Sequence, residues 1–99
     1  MTGADMTWLG LNGKTVVVTG GSGGIGRACL QAFNDAGARV VSLDYAQADA
    51  RMAAKAIDPS GDRALGLGCD VSSEASVNAA AAKVAQTWGG ADILVNNAG

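Results

Sequence analysis

The chain has 99 residues, so it holds one domain at most, near the low end for an α/β protein. Its 48% hydrophobic and 16% charged residues, with one proline, exclude a disordered chain, and its fifteen glycines gather at turns without the three-residue period of collagen. Seven basic against nine acidic residues, a net charge of -2, supply no basic stripe and exclude a nucleic-acid binder.

In chain order the sequence reads strand, helix, strand, helix, strand, helix, strand. Met1–Gly13, with Trp8, Leu9 and Leu11, has no period and is expected as a short arm. Met1–Asp5 lacks a basic region ahead of an apolar run, and no signal peptide is expected there. Lys14–Thr19 carries Val16, Val17 and Val18 in a row, the pattern of a parallel strand buried on both faces. A glycine turn follows, then a helix with Ile25, Cys29, Ala32, Phe33 and Ala36 on one face and Arg27, Gln31, Asn34 and Asp35 on the other. Gly37 stands where a left-handed residue closes such a helix.

Arg39–Leu43, with Val40 and Val41, is the second strand. The alanine-rich stretch Ala46–Ile57 is the second helix, stopped by Asp58-Pro59. Ala64–Gly68 is a weaker strand with two leucines and two glycines. The third helix starts after Ser72 or Ser73, either a competent N-cap, and runs to Gly89-Gly90 with Val77, Ala80, Ala81, Val84 and Trp88 on its apolar face. Asp92–Val95 is the fourth strand. Connections of this length each accommodate a right-handed crossover helix, so the fold class is α/β with a parallel sheet covered on both sides.

No stretch reaches the 18 apolar residues of a membrane span, and a cytoplasmic protein without a membrane partner is the expectation. Cys29 and Cys69 have neither a metal spacing nor a disulfide framework and read as buried small hydrophobes, with a reactive thiol as the alternative. The chain has no histidine, which removes a histidine base and leaves zinc without its usual ligands.

Thr19-Gly20-Gly21-Ser22-Gly23-Gly24-Ile25-Gly26 leads from the first strand into the first helix. Residues without Cβ allow a sharp turn and close approach to a diphosphate, whose charge meets the free N–H groups and dipole of the helix N-terminus. Gly20, Gly24 and Gly26 give G-x-x-x-G-x-G, and no Lys-Ser or Lys-Thr pair follows as a Walker A loop needs. A structural turn with no ligand is the competing reading. Asp44 ends the second strand, eighteen residues beyond Gly26, where a carboxylate accepts hydrogen bonds from adenosine ribose hydroxyls. It would repel a 2′-phosphate, and neither Tyr45 nor Gly23 brings a compensating cation, which favours NAD over NADP. Arg27 and Arg39 are the counter-candidates, the first on a polar helix face and the second starting a strand. Asp44 as a cap of the next helix is the blander alternative. Asp70, at the end of the third strand, is open between ligand contact and helix cap.

In Thr19–Gly26, Asp70-Val71 and Asn96-Asn97-Ala98-Gly99 the sequence resembles the classical branch of the short-chain dehydrogenase/reductase family, over about Leu11 to Gly99. The resemblance implies a Rossmann-type three-layer sandwich holding a partial parallel sheet of four strands in order 3-2-1-4, with the fourth as an open edge. It implies cofactor-binding roles for Gly20, Ser22, Gly24, Ile25, Gly26, Asp44, Asp70, Val71, Asn96, Ala98 and Gly99. Ser22 would bond within the turn or to phosphate, and Ile25 would offer its N–H. The Asp70 carboxylate would take the adenine amine and the Val71 N–H a ring nitrogen. Asn96 to Gly99 would support the sheet and line the nicotinamide-ribose end.

Family members place a catalytic serine and a tyrosine-x-x-x-lysine pair downstream of the last motif. The 99 residues contain no counterpart, and Tyr45 lies at the adenosine end. Residues 1–99 are therefore expected to be the N-terminal part of a single NAD(P)-binding domain, a fragment inactive by itself, with no catalytic or metal-ligating residue. The parent is expected to be an NAD-dependent oxidoreductase passing hydride between the nicotinamide and a secondary alcohol or ketone, and to be a homo-oligomer. A non-catalytic nucleotide-binding or assembly fragment is the alternative; a flavodoxin-like or methyltransferase-like domain is set back by the joint spacing of the three motifs.

Overall fold

The computed structural model describes residues 10–97. Within them lie β1 (Thr15–Thr19), α1 (Gly24–Asp35), β2 (Arg39–Asp44), α2 (Gln47–Ile57), β3 (Ala64–Gly68), α3 (Glu74–Trp88) and β4 (Ile93–Asn96). The strands form one parallel sheet in the order β3-β2-β1-β4. This is the predicted order, with β4 as an edge among the described residues. Of the expected features, Trp8, Leu9, Ala98 and Gly99 lie outside the described residues.

Several boundaries shift by one residue. β1 begins at Thr15 because Lys14 closes a turn, its N–H donating to Leu11 O at 3.0 Å. β2 reaches Asp44, where its register with Gly68 of β3 ends. Asp92 precedes β4 yet is tied to β1: its N–H donates to Thr15 O, and the Thr15 N–H donates to its carboxylate, each at 2.9 Å.

Alternation along the strands builds two cores. Val16, Val18 and Val40 point to α1 and α2, meeting Leu30, Ala38, Ala53, Ala54 and Ala64. Val17, Val41 and Leu43 point to α3, meeting Cys69, Ala80 and Val84. Three consecutive valines thus serve both faces, as a doubly covered parallel strand requires. The two glycines of β3 have a packing reason: a Cβ on Gly66 would stand 2.5 Å from Arg51 Cα, so α2 rests directly on the strand backbone.

The buried stripe of α1 differs from the expected one. Leu30 is fully buried, whereas Ile25 is 73% exposed and Ala32 is also exposed. Cys29 and Phe33 are half-buried against the core, and Ala36 is buried as expected. The helix rotates this way because Gly26 abuts the backbone of the preceding turn. On α3 the expected face is only partly covered: Ala80 and Val84 are buried, Trp88 is half-buried and Val77 and Ala81 are exposed. The Arg39 guanidinium carbon lies 5.5 Å from the centroid of a Trp88 ring. Between α3 and β4 an apolar groove of about 190 Å³ exposes Leu94, because α3 alone serves that face.

Ser73 is the N-cap of α3, its Oγ accepting the Ser76 N–H at 3.2 Å; Gly89, at φ 84°, closes the helix. Ser73→Ala should cost about 1 kcal/mol, read as a Tm fall of several degrees in thermal denaturation. No described helix is long and apolar enough to cross a membrane. Among the described residues no group of three His, Cys, Asp or Glu could hold a metal ion.

Candidate functional site

The C-terminal ends of the four strands converge on the glycine turn. The Gly21 N–H donates to Leu43 O at 3.1 Å, docking the turn onto β2, and the Gly23 N–H donates back to Gly20 O at 3.2 Å. A Cβ on Gly26 would lie 2.8 Å from Gly21 Cα and closer still to the Gly20 carbonyl oxygen, so only glycine lets α1 start so near the turn. Gly24 faces open space instead.

The first helical bond of α1 in this turn runs from the Arg27 N–H to Gly23 O, at 2.8 Å. Among the described residues, the N–H groups of Gly24, Ile25 and Gly26 have no acceptor, and the first turn of α1 holds no acidic side chain. Three unpaired donors and the positive end of the helix dipole, beside glycines that leave room for close approach, can hold an anion of diphosphate type. The exposed Arg27 places a cation nearby, its Nε donating to Ser22 O at 3.1 Å.

Asp44 is half-buried at the end of β2. Its Oδ2 accepts from both the Ser22 hydroxyl and, at 3.3 Å, the Ser22 N–H. The Ser22 hydroxyl does not bond within the turn but meets the next strand, because Gly21 docked on Leu43 brings it there. The Ser22 hydroxyl is the main cause holding the Asp44 carboxyl below its ordinary value; the nearby N–H groups of Ser22, Ala46 and Tyr45 add to this, and burial opposes it. Asp44 is not the helix cap. Ala46 occupies that position, with no side-chain cap bond.

Asp70 organises the turn after β3. Its Oδ1 accepts the Ser72 N–H at 3.0 Å and the Ser72 hydroxyl at 2.6 Å, the latter being the main cause that lowers its pKa. Since Ser73 caps α3, Asp70 is no cap either. Val71 is 53% exposed, and its N–H has no acceptor among the described residues. Gly20, Leu43, Asp44, Tyr45, Cys69, Asp70 and Val71 line a hollow of about 160 Å³. Leu43 and Cys69 were not predicted for the site, and Tyr45 only as a neighbour at its adenosine end. Their position just at or after the ends of β2 and β3 was the available signal, since open α/β sheets bind ligands along that edge.

A second hollow of about 190 Å³, lined by Thr19, Val71, Leu94 and Asn96 among others, continues the cleft toward β4. Thr19 joins the two halves. Its hydroxyl is shared between Val95 O at 3.4 Å and Asn96 Oδ1 at 3.2 Å, and it accepts the Asn97 N–H at 2.8 Å. Asn97 Nδ2 donates to Gly20 O at 3.3 Å, so the residue after β4 braces the glycine turn. A larger opening of about 330 Å³ follows the edge that β3 forms among the described residues, away from these groups.

Gly20, Ser22, Gly24, Ile25, Gly26, Asp44, Asp70, Val71 and Asn96 thus share one sheet edge; Ala98 and Gly99 lie outside the described residues. Known proteins resemble this chain in sequence and in fold. The family described as short chain dehydrogenase matches residues 14–99. A sorbitol dehydrogenase of Cereibacter sphaeroides is 42% identical over 88 residues, covering 89% of this chain and 33% of that protein. A D-threitol dehydrogenase of Mycolicibacterium smegmatis is 45% identical over 91 residues, covering 90% of this chain and 34% of that protein. The crystal structure of a 3-ketoacyl-(acyl-carrier-protein) reductase from Brucella melitensis complexed with NADH superposes with a TM-score of 0.78 at 38% identity, covering 85% of this chain and 33% of that one. Sorbitol-6-phosphate 2-dehydrogenase from Erwinia amylovora gives 0.80 at 36% identity, covering 85% and 34%. The chain spans about a third of the length of the curated relatives it matches. With the matched span running from the first residue before β1 to Gly99, the chain belongs to the short-chain dehydrogenase family.

Proposed function

We propose that these residues bind and orient a nicotinamide dinucleotide, with NAD(H) preferred over NADP(H), in an oxidoreductase acting on a secondary alcohol or ketone. The observation that carries this is the ionised Asp44, held by Ser22, beside three unpaired N–H donors at the start of α1. Gly24, Ile25 and Gly26 would hold the diphosphate through their N–H groups, Asp44 the adenosine ribose, and Asp70 and Val71 the adenine. Asn96, Ala98 and Gly99 would border the nicotinamide-ribose end.

When bound, the dinucleotide supplies the hydride chemistry. This chain's own part is to neutralise the diphosphate, fix the ribose and aim the rest of the molecule along the sheet edge toward β4. Relatives named sorbitol and D-threitol dehydrogenases support a secondary-alcohol substrate. Residues 1–99 would form the N-terminal part of the dinucleotide domain, with proton transfer assigned to residues beyond it. A nucleotide-binding role without catalysis is the second reading, favoured by one observation: among the described residues no lysine lines this cleft.

Fluorescence titration of the full chain tests the binding claim. NADH should bind, and NADPH should bind about 5- to several-hundred-fold more weakly, the range of a carboxylate–phosphate repulsion of about 1–4 kcal/mol near a protein surface. Absence of NADH binding defeats the reading; equal affinities defeat the preference alone. Turnover of secondary alcohols with NAD separates the enzyme from the non-catalytic reading.

A further inference from the structure

The geometry points to a docking surface for an acidic segment of a partner protein, taken up as an extended strand beside β3 in the hollow of about 330 Å³ along that edge. This surface lies away from the dinucleotide groups and is independent of their reading.

Main-chain geometry supplies the first half. The Val40 N–H donates to Arg63 O at 2.9 Å, and the Cys69 N–H donates to Asp44 O at 2.7 Å. Main-chain groups alternate sides along a strand, so the odd-numbered positions of β3 bond to β2. Ala64 and Gly66 therefore turn their N–H and C=O groups outward, into the hollow that both residues line. Among the described residues β3 ends the sheet, and no strand covers these groups. Such a row of donors and acceptors accepts an added strand.

Charge supplies the second half. Arg51 and Lys55 of α2 and Lys83 of α3 line the hollow, with Asp58 as its one acidic residue. The two helices cover opposite faces of the sheet, so the cations flank the edge from both sides. Three of the seven cations in a chain of net charge -2 thus gather at one strand edge. Asp58 is turned to its own loop: Oδ1 accepts the Ser60 N–H at 3.1 Å and the Ser60 hydroxyl at 2.7 Å, and Oδ2 accepts the Arg63 N–H at 2.9 Å. Lys55 suits the last turn of α2, yet Arg51 one turn earlier repels it, and an anionic partner would offset that repulsion.

A second copy of this chain is a poor occupant, since pairing edge to edge sets the same cations against one another. Edge cations also discourage stray strand pairing. A purely protective role predicts that no acidic strand is captured.

Fluorescence anisotropy of the full chain tests this with a labelled peptide in which Glu alternates with Val and Thr. The acidic peptide should bind, and more weakly as salt is raised. Replacing its Glu by Gln, or keeping Glu and placing Pro at alternate positions to remove main-chain donors, should each weaken binding about 10-fold or more. A single-stranded oligodeoxynucleotide should bind more weakly than the peptide. Arg51→Glu, Lys55→Glu and Lys83→Glu combined should lose about 10-fold or more, whereas Lys14→Glu, an exposed cation outside the hollow, stays within about twofold of wild type. Bound peptide should slow hydrogen exchange at the Ala64 and Gly66 amides. The proposal is overturned if the acidic peptide does not bind, if the proline peptide or the oligonucleotide binds as tightly, or if the triple reversal changes nothing. Dimerisation of the peptide-free chain that the same reversals alter would assign the edge to a second copy and overturn it too. Should the triple variant not fold, as read by circular dichroism, the peptide series and the exchange pattern of wild type decide alone.

Discussion

Gly26→Val should abolish measurable NADH binding and lower the thermal midpoint of the chain. The added Cβ would fall 2.8 Å from Gly21 Cα and closer still to the Gly20 carbonyl, both backbone atoms without a rotamer to move. Gly21 cannot retreat freely, because its N–H is held by Leu43 O at 3.1 Å and a Cβ-sized gap beneath it is already filled by Ser42. Either α1 lifts off the turn or the turn leaves β2. Forced overpacking of this kind costs about 1–3 kcal/mol of stability. The loss in binding should be larger, since Gly24, Ile25 and Gly26 present their N–H groups together. Losing one or two charge-assisted contacts at about 1.5–3 kcal/mol each corresponds to a loss of about tenfold to ten-thousandfold. Gly24→Ala is the control, because its Cβ meets nothing within 4 Å. It should fold as well as wild type or slightly better, yet weaken NADH by intruding on the space over the donors. Wild-type affinity in Gly26→Val would refute the assignment of this turn.

Most of each element was legible because its signals are local, whereas the strand order followed from the family resemblance. Val16, Val17 and Val18 in a row, the glycines after Thr19 and the proline after Asp58 each act within a few residues. What sequence could not supply depends on contacts across the fold. Ile25 was placed on the buried face of α1 and Leu30 was not, because small residues along the helix leave its rotation loosely determined; the Gly26 contact with the turn decides it. Asp44 was legible as a site residue from its place at the end of β2. Its partner was not, because Ser22 lies 22 positions away and arrives only when Gly21 docks on Leu43. Thr19 carries no motif of its own signalling that it links β1 to Asn96 and Asn97, since that link spans more than 75 positions. Val77 and Leu94 have apolar character but stay exposed: composition records the tendency to be covered, and only the arrangement of α3 and β4 shows that the described residues leave them open.

Asp44→Ala should weaken NADH about 10- to 100-fold, as expected for removing hydrogen bonds to a charged acceptor worth about 1.5–3 kcal/mol. NADPH should tighten in the same variant, narrowing or reversing the preference, because the repulsion of a 2′-phosphate is gone. Asp44→Asn separates the two effects: it keeps the side-chain shape, removes the charge and leaves one acceptor for the ribose. The pH dependence has a defined sign. Hydrogen bonding to Ser22 holds the Asp44 carboxyl below the ordinary value of 3.8, so its ionised form contributes stability that is present above that value and lost as pH falls through the lowered one. NADH affinity in the wild type should therefore not decline through loss of this charge between neutral pH and 3.8. Ser22→Ala removes the main cause of the lowering and should move that acid-side decline upward, toward the ordinary carboxylate value. Asp44→Ala should lack this component altogether. Isothermal titration at stepped pH, confined to conditions where circular dichroism shows a folded chain, measures all three profiles; an unchanged acid limb in Asp44→Ala would place the responsible carboxylate elsewhere, with Asp70 the next to be replaced.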